Sequence, residues 1–172
     1  MKKVILIGYM GSGKSIVAKK LAASIGVNCL ELDDLIEKKS EMTIEKIFSS
    51  KGELYFRKLE NQLFLELLKE KNDLIISTGG GTPCYFNNHE LLNVENVVSV
   101  YLKASVGTLW SRLMKEKQKR PLIAHLDDIA VKEFIAKHLF DRSFYYNQAT
   151  FKVDVDGKSV DEVAAEITKL LA

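Results

Sequence analysis

Short apolar runs alternate along the chain with longer stretches in which apolar residues recur every three or four positions. The short runs are typical of strands in a parallel sheet that is buried on both faces, and the longer stretches are typical of amphipathic helices. Strands that alternate with helices favour right-handed crossovers and helices on both sides of the sheet. The pattern therefore predicts an α/β protein, a three-layer α/β/α sandwich around a five-stranded parallel sheet.

The boundaries of these elements follow from the same pattern and from glycine, proline and capping residues. Thr43 is a candidate N-cap, and Gly26 is a candidate helix end. The glycine-rich run 78–83 is predicted to be a loop, because its residues suit neither a helix nor a strand. The predicted strands are 4–7, 28–34, 74–77, 97–102 and 151–155. The predicted helices are 16–25, 35–48, 53–72, 106–114, 127–146 and 160–170.

The segment from Gly8 to Ser15, which joins the first strand to the first helix, fits the phosphate-binding pattern GxxxxGKS/T. Glycines bring backbone N–H groups against a phosphate, and the N-terminus of the helix adds a partial positive charge. In such P-loops the lysine reaches the β- and γ-phosphates, and the hydroxyl that follows it ligates Mg²⁺. Lys14 and Ser15 are therefore predicted to bind ATP or another nucleoside triphosphate together with Mg²⁺.

Composition and charge limit the classes of partner. The 172 residues, 47% of them hydrophobic, suit a single P-loop domain that spans 1–172. A net charge of +2 is too small to indicate a nucleic-acid protein. Cys29 and Cys84 lack metal-binding spacing and are expected to be reduced. Because Gly8 interrupts the apolar run after Met1 and no stretch has membrane-spanning length, we expect no membrane partner. The reduced cysteines indicate a cytoplasmic protein, and we expect it to be a monomer.

The acidic residues differ from those of a generic P-loop enzyme, which carries an acid for Mg²⁺ at the end of a later strand. The third predicted strand ends instead in Ser77 and Thr78. Carboxylates follow the second strand, at Glu31, Asp33 and Asp34, so the acids on the metal side are expected there. GTPases are disfavoured, because the chain has no NKxD tetrapeptide and its DxxG match, 154–157, comes too late.

Six motifs recur in the order and at the spacing of one known family. The chain resembles the shikimate kinases, small enzymes that use ATP to phosphorylate the 3-hydroxyl of shikimate in aromatic amino-acid biosynthesis. The likeness runs the whole length of the chain, and the combination of FRxxE, a triple glycine and RPL is far more specific than the P-loop alone. The motifs are GYMGSGKS at 8–15, ELDDLIE at 31–37, FRKLE at 56–60, STGGGT at 77–82, RPL at 120–122 and the stretch 142–146.

This resemblance implies a role for each matching residue. It implies a substrate-binding segment at about 33–62 and a mobile lid at about 112–126. The implied catalytic residues are Lys14, Asp33 and Arg120. The implied ATP-binding residues are Gly11, Ser12, Gly13, Lys14, Ser15, Ile16, Arg112 and Arg120, and the implied Mg²⁺ ligands are Ser15 and Glu31. The implied shikimate-binding residues are Asp33, Arg57, Gly79, Gly80, Gly81 and Arg142, with Phe48 and Phe56 as apolar walls.

The chemistry of shikimate agrees with these residue types. Shikimate carries one carboxylate, which suits two arginines, and three hydroxyls, which suit an aspartate.

Two positions depart from the family pattern. The chain has Glu31 where the family commonly has the first aspartate of DxD, although Mg²⁺ often meets its acids through water. Arg112 is one residue further from Arg120 than the corresponding adenine-stacking arginine of the family.

Other interpretations remain open at this point. A gluconate-kinase-like enzyme shares the P-loop but does not need the FRxxE, triple-glycine and RPL set. A regulatory NTPase is a second alternative, but the chain lacks the switch and specificity motifs of that class. A catalytically silent interaction domain is a third, but it would not need the P-loop, acidic and arginine residues that occur together here. Arg57 and Glu60 have the spacing of a surface ion pair, but the motif context favours a role for Glu60 in orienting Arg57. We assign no role to the three histidines, His89, His125 and His138, which have no metal spacing.

Overall fold

The computed structural model describes residues 2–172 and confirms the α/β/α prediction. Five parallel strands form one sheet in the order β2-β3-β1-β4-β5. The strands are β1 Lys3–Ile7, β2 Asn28–Glu31, β3 Leu74–Ser77, β4 Val97–Lys103 and β5 Phe151–Asp154. The helices are α1 Lys14–Ile25, α2 Leu32–Ser40, α3 Ile44–Lys51, α4 Glu53–Lys69, α5 Val106–Met114, α6 Asp128–Tyr146 and α7 Val160–Leu171.

The central strand β1 is buried along its whole length and pairs with β3 on one side and β4 on the other. Its apolar run is continuous because helices cover both faces of the sheet. The register places Ser77 of β3 beside Leu6 of β1 and beside Glu31 of β2. The carboxyl ends of the three strands therefore meet at one edge, where ligands bind in open α/β sheets.

The segment after β2 differs from its prediction. We expected a strand over 28–34, but β2 ends at Glu31 and α2 begins at Leu32. Asp33 and Asp34 therefore lie in the first turn of a helix, where carboxylates are stabilised by the positive end of the helix dipole.

The helix predicted over 35–48 is likewise divided in two. Helix α2 ends at Ser40, and the next residue, Glu41, has a left-handed φ of 55°. Thr43 then caps α3 by accepting a hydrogen bond of 3.2 Å from the N–H of Lys46, as the sequence predicts.

Three short 3₁₀ turns lie in segments where regular structure was not expected. One of them, Thr82–Cys84, falls at the end of the predicted loop 78–83 and contains Pro83. The others are Asn88–Asn93 and Lys117–Lys119. Among the helices of residues 2–172, none combines the length and the apolar character needed to cross a membrane.

Candidate active site

A cavity of about 600 Å³ lies at the carboxyl edge of the sheet. Its floor is the P-loop, and its walls come from the ends of β2 and β3, from α5 with the segment that follows it, and from the connection between β5 and α7. Gly13 caps α1 with a φ of 95°, a left-handed conformation that favours glycine. The predicted site residues that line the cavity are Gly11, Ser12, Gly13, Lys14, Ser15, Ile16, Glu31, Asp33, Gly79, Gly80, Arg112 and Arg120.

Lys14 is held against its own loop. Its ammonium donates hydrogen bonds to the carbonyl oxygens of Gly8, at 2.7 Å, and of Tyr9, at 3.1 Å. Burial lowers the pKa of Lys14 to about 8, although the nearby charge of Asp33 opposes that shift. The lysine is therefore a desolvated cation whose position is set by the backbone around it.

Ser15 and Glu31 form the group of oxygens predicted to hold the metal ion. The Ser15 hydroxyl donates to Glu31 Oε2 at 3.0 Å. The other carboxylate oxygen, Oε1, is buried and has no hydrogen-bond partner within residues 2–172, and the same is true of the hydroxyl of Ser77 in the neighbouring strand. Hydroxyl and carboxylate oxygens with unused lone pairs fit the oxygen preference of Mg²⁺. Ser15 and Glu31, which both line the cavity, therefore fit a magnesium ion and its bound water.

Asp33 projects from the first turn of α2 toward the glycine-rich turn after β3. A Cβ placed on Gly79 would lie 3.2 Å from Asp33 Oδ1 and 3.2 Å from Glu60 Oε2, so both carboxylates border this glycine. Burial raises the pKa of Asp33 to about 6, and the negative charge of Glu60 adds to the shift. Asp33 thus titrates near neutral pH, where a general base is most useful.

The triple glycine brings two arginines to the same turn. A Cβ on Gly80 would lie 3.0 Å from Arg142 Nη1, and a Cβ on Gly81 would lie 2.6 Å from Arg57 Nη2. None of the three glycines has a left-handed φ. The glycines are therefore required for the close approach of the arginines and not for an unusual backbone conformation.

Glu60 fixes the orientation of Arg57, as the motif context predicted. Its carboxylate accepts from Arg57 Nη1 at 2.8 Å and from the Thr82 hydroxyl at 2.8 Å. Glu60 is 0% exposed and Arg57 is 9% exposed, so this pair is not the surface ion pair that the spacing alone suggests. Removing either partner would leave an uncompensated buried charge.

Five of the predicted substrate-binding residues do not line the cavity itself: Arg57, Gly81, Arg142, Phe48 and Phe56. Arg57 borders Gly81, and Arg142 borders Gly80 on the side where the backbone of Gly8 and Met10 in the P-loop also comes close. Phe56 is buried, Phe48 is 39% exposed, and their rings lie 4.7 Å apart. The guanidinium of Arg57 lies over the ring of Tyr85 at 4.0 Å, a contact that no sequence motif indicated.

The predicted lid contributes two arginines to the cavity. Arg112 Nη1 donates to the carbonyl oxygen of Gly11 at 3.0 Å, so it reaches the P-loop. Arg120 forms an ion pair of 3.2 Å with Glu116, which also lines the cavity. Sequence reasoning missed two charged residues that line the cavity, Glu116 and Lys158, because neither belongs to a motif that distinguishes it from the other charged residues around it.

Comparisons with known proteins agree with this geometry. A model of the family described as shikimate kinase matches residues 10–172. The chain is 55% identical over 172 residues to the shikimate kinase of Flavobacterium johnsoniae, and the match covers 100% of both chains.

Two solved structures are also similar. The shikimate kinase of Bacteroides thetaiotaomicron has a TM-score of 0.91 and 32% identity, and covers 99% of this chain and 98% of its own. The shikimate kinase of Acinetobacter baumannii in complex with shikimate has a TM-score of 0.88 and 30% identity, over 99% of this chain and 93% of its own. This chain belongs to the shikimate kinase family.

Proposed function

We propose that this protein transfers the γ-phosphoryl group of ATP to the 3-hydroxyl of shikimate, giving shikimate 3-phosphate and ADP. The observation that carries the proposal is the arrangement around the triple glycine. Asp33, Arg57 and Arg142 each approach one of these glycines, and the turn lies beside the P-loop cavity. An acceptor with a carboxylate for the arginines and a hydroxyl for the aspartate fits that arrangement.

Catalysis rests on position and charge. The chain's own residues have little covalent chemistry to perform, because phosphoryl transfer depends mainly on alignment and on neutralising negative charge. Lys14 exchanges its loop carbonyls for the β- and γ-phosphates, and Arg120 stabilises the charge that develops on the transferred group. Asp33 orients the attacking hydroxyl and accepts its proton as the carboxylate. Arg57 and Arg142 fix the acceptor so that one hydroxyl faces the phosphate.

Mg²⁺ would be held by Ser15 and Glu31, and it would supply positive charge that offsets the negative charge of the phosphates. The segment 33–62 binds the acceptor, with Phe48 and Phe56 against its ring. The lid 112–126 closes over the nucleotide and excludes water, which otherwise competes as acceptor. We further propose that the chain is a cytoplasmic monomer in the synthesis of aromatic amino acids.

A coupled assay of ADP release tests the proposed function. We expect shikimate to stimulate ADP release from Mg-ATP at least about 100-fold over the rate without acceptor, because a positioned hydroxyl has a large effective concentration. Gluconate and nucleoside monophosphates, at the same concentrations, serve as controls for other small-molecule kinases. Clear stimulation by one of these, with none by shikimate, would falsify the assignment.

The Glu31→Gln variant tests the metal site. The substitution keeps the size of the side chain and its bond to Ser15 but removes the charge, so we expect affinity for the divalent ion to fall about 10-fold. Binding of Mn²⁺ to the complex with ADP, followed by electron paramagnetic resonance, measures this without turnover. Asp34→Asn is the matched control, because Asp34 is exposed and does not line the cavity. Equal Mn²⁺ affinity in Glu31→Gln and the wild type would show that Glu31 does not bind the metal ion.

A further inference from the structure

Tyr9 is the second residue of the P-loop motif. Its backbone belongs to the phosphate loop, whereas its side chain packs away from the cavity. Its carbonyl oxygen accepts from Lys14 Nζ at 3.1 Å and from the N–H of Ser12 at 3.1 Å, so the backbone shapes the phosphate loop. The side chain is 1% exposed and does not line the nucleotide cavity. It extends toward α6, the helix that carries Arg142.

Two residues of α6 contact the Tyr9 side chain. The hydroxyl lies 3.0 Å from His138 Nδ1, and the two rings meet edge to face with centroids 5.4 Å apart. The guanidinium of Arg142 lies over the Tyr9 ring, 5.7 Å from its centroid. Positions four apart on a helix share one face, so a single tyrosine contacts both His138 and Arg142.

Arg142 is bordered by Tyr146 as well as by Tyr9, and the Tyr146 hydroxyl donates to the carbonyl oxygen of Gly80 at 2.6 Å. Within residues 2–172, no carboxylate lies within the 4.0 Å of a salt bridge to Arg142, whereas Arg57 is paired with Glu60. The face of an aromatic ring attracts a guanidinium without neutralising it. Tyr9 can therefore support Arg142 and still leave its full charge for the carboxylate of an acceptor.

The two groups that form the bond between Tyr9 and His138 are both uncharged at neutral pH. Burial lowers the pKa of His138, and the positive charges of Arg142 and Arg57 act in the same direction, against the opposing charge of Asp141. Burial also raises the pKa of Tyr9 to about 12. At neutral pH the imidazole is thus neutral and the phenol is protonated, so an uncharged hydrogen bond joins the Tyr9 hydroxyl to Nδ1, and the imidazole tautomer decides which atom donates.

We propose that Tyr9 is a positioning residue for the acceptor: its ring supports Arg142 and its hydroxyl, anchored on His138, keeps that ring in place. The inference rests on the proposed function, because it takes the shikimate carboxylate as the ligand of Arg142. A tyrosine that only fills the core would matter for stability alone. A positioning tyrosine matters for the affinity of one substrate, shikimate, more than for that of ATP.

Shikimate affinity measured by calorimetry, together with the two KM values and the melting temperature, tests the proposal. We expect Tyr9→Phe and His138→Leu each to weaken shikimate binding about fivefold, the equivalent of one hydrogen bond of about 1 kcal/mol. The KM for ATP should stay within about twofold of the wild type. The double variant should be no weaker than either single variant, because both substitutions break the same bond.

Two further variants serve as controls. His138→Asn places an amide oxygen near the position of Nδ1 and should restore most of the shikimate affinity. Tyr145→Phe removes a phenol from a tyrosine of the same helix that packs on a different histidine, His89, at 5.2 Å, and should leave shikimate affinity unchanged. A lower melting temperature with unchanged shikimate affinity in both Tyr9→Phe and His138→Leu would overturn the proposal, and so would an equal loss of affinity for ATP.

Arg142→Ala separates this inference from the proposed function. If Arg142→Ala leaves shikimate binding intact, the acceptor site itself is wrongly assigned. If Arg142→Ala weakens binding but Tyr9→Phe does not, the site stands and only the role of Tyr9 fails. When both are correct, Tyr9→Phe has no further effect on shikimate affinity in the Arg142→Ala background, because the residue that it positions is absent.

Discussion

Asparagine in place of Asp33 is expected to lower kcat by about 10³-fold, within the range that a general base contributes. The amide can still accept a hydrogen bond from the attacking hydroxyl, but it cannot take the proton. Because the pKa of Asp33 is raised to about 6, kcat/KM for shikimate in the wild type should rise with pH through about 6 and then level off. That acidic limb should be absent from the residual activity of Asp33→Asn.

The stability of the same variant provides a control for folding. The pKa of Asp33 in the folded protein, about 6, lies above the ordinary value of 3.8, so folding favours the protonated form and the ionised form destabilises the protein above pH 6. Asp33→Asn removes this penalty. Its melting temperature should therefore exceed that of the wild type at pH 7.5, and the difference should shrink as the pH falls toward 4. An Asp33→Asn enzyme with near-normal turnover would exclude Asp33 as the base.

Methionine in place of Lys14 is expected to reduce kcat by about 10³-fold or more, because a buried cation at the transferred phosphate stabilises the transition state by several kcal/mol. Lys14 must be charged to act. With a pKa of about 8 in the free protein, the wild type should lose kcat/KM for ATP as the pH rises through 8. The group that titrates in that range should disappear in Lys14→Met.

Lys19→Met is the matched control, since Lys19 lies on the same helix and is exposed. Folding lowers the pKa of Lys14 from its ordinary value of 10.5, so the charged form destabilises the protein below pH 8 and this penalty is lost as the pH rises toward 10.5. Lys14→Met should accordingly melt at a higher temperature than the wild type at pH 7. Turnover by Lys14→Met within about tenfold of the wild type would contradict the role of Lys14 as the principal phosphate-binding cation.

Much of the fold could be predicted because its signals are local. The β3 strand has the predicted bounds, and α6 begins one residue after Asp127, which accepts from the N–H of Ala130 at 2.8 Å as an N-cap. The division between α2 and α3 was missed because apolar spacing continues across it, although Thr43 signalled the second start. The end of β2 was placed too late, since carboxylates suit a strand end and a first helical turn alike.

The parts of the site that lie within one sequence motif could be predicted. The contacts between residues that are far apart in the sequence could not. The P-loop pattern dictates the surroundings of Lys14, because strand, loop and helix are contiguous in the chain. The contact between Tyr9 and His138 joins residues 129 positions apart, and no periodicity or motif relates them. The distances from the glycine turn to Arg57 and Arg142 depend likewise on how α4 and α6 pack against the 3₁₀ turn Thr82–Cys84.

The Lys14 ammonium, which the carbonyl oxygens of Gly8 and Tyr9 hold in the buried loop, has a consequence for the timing of nucleotide binding. A lysine in water must shed its hydration shell when a phosphate arrives. Here the dehydration takes place earlier, as the chain folds, and the fold bears its free-energy cost. ATP then meets an ammonium that is already dehydrated. Its phosphates replace the two loop carbonyl oxygens as hydrogen-bond acceptors, so this contact requires little rearrangement of solvent. The protein gives up some stability in advance to have its phosphate-binding charge ready.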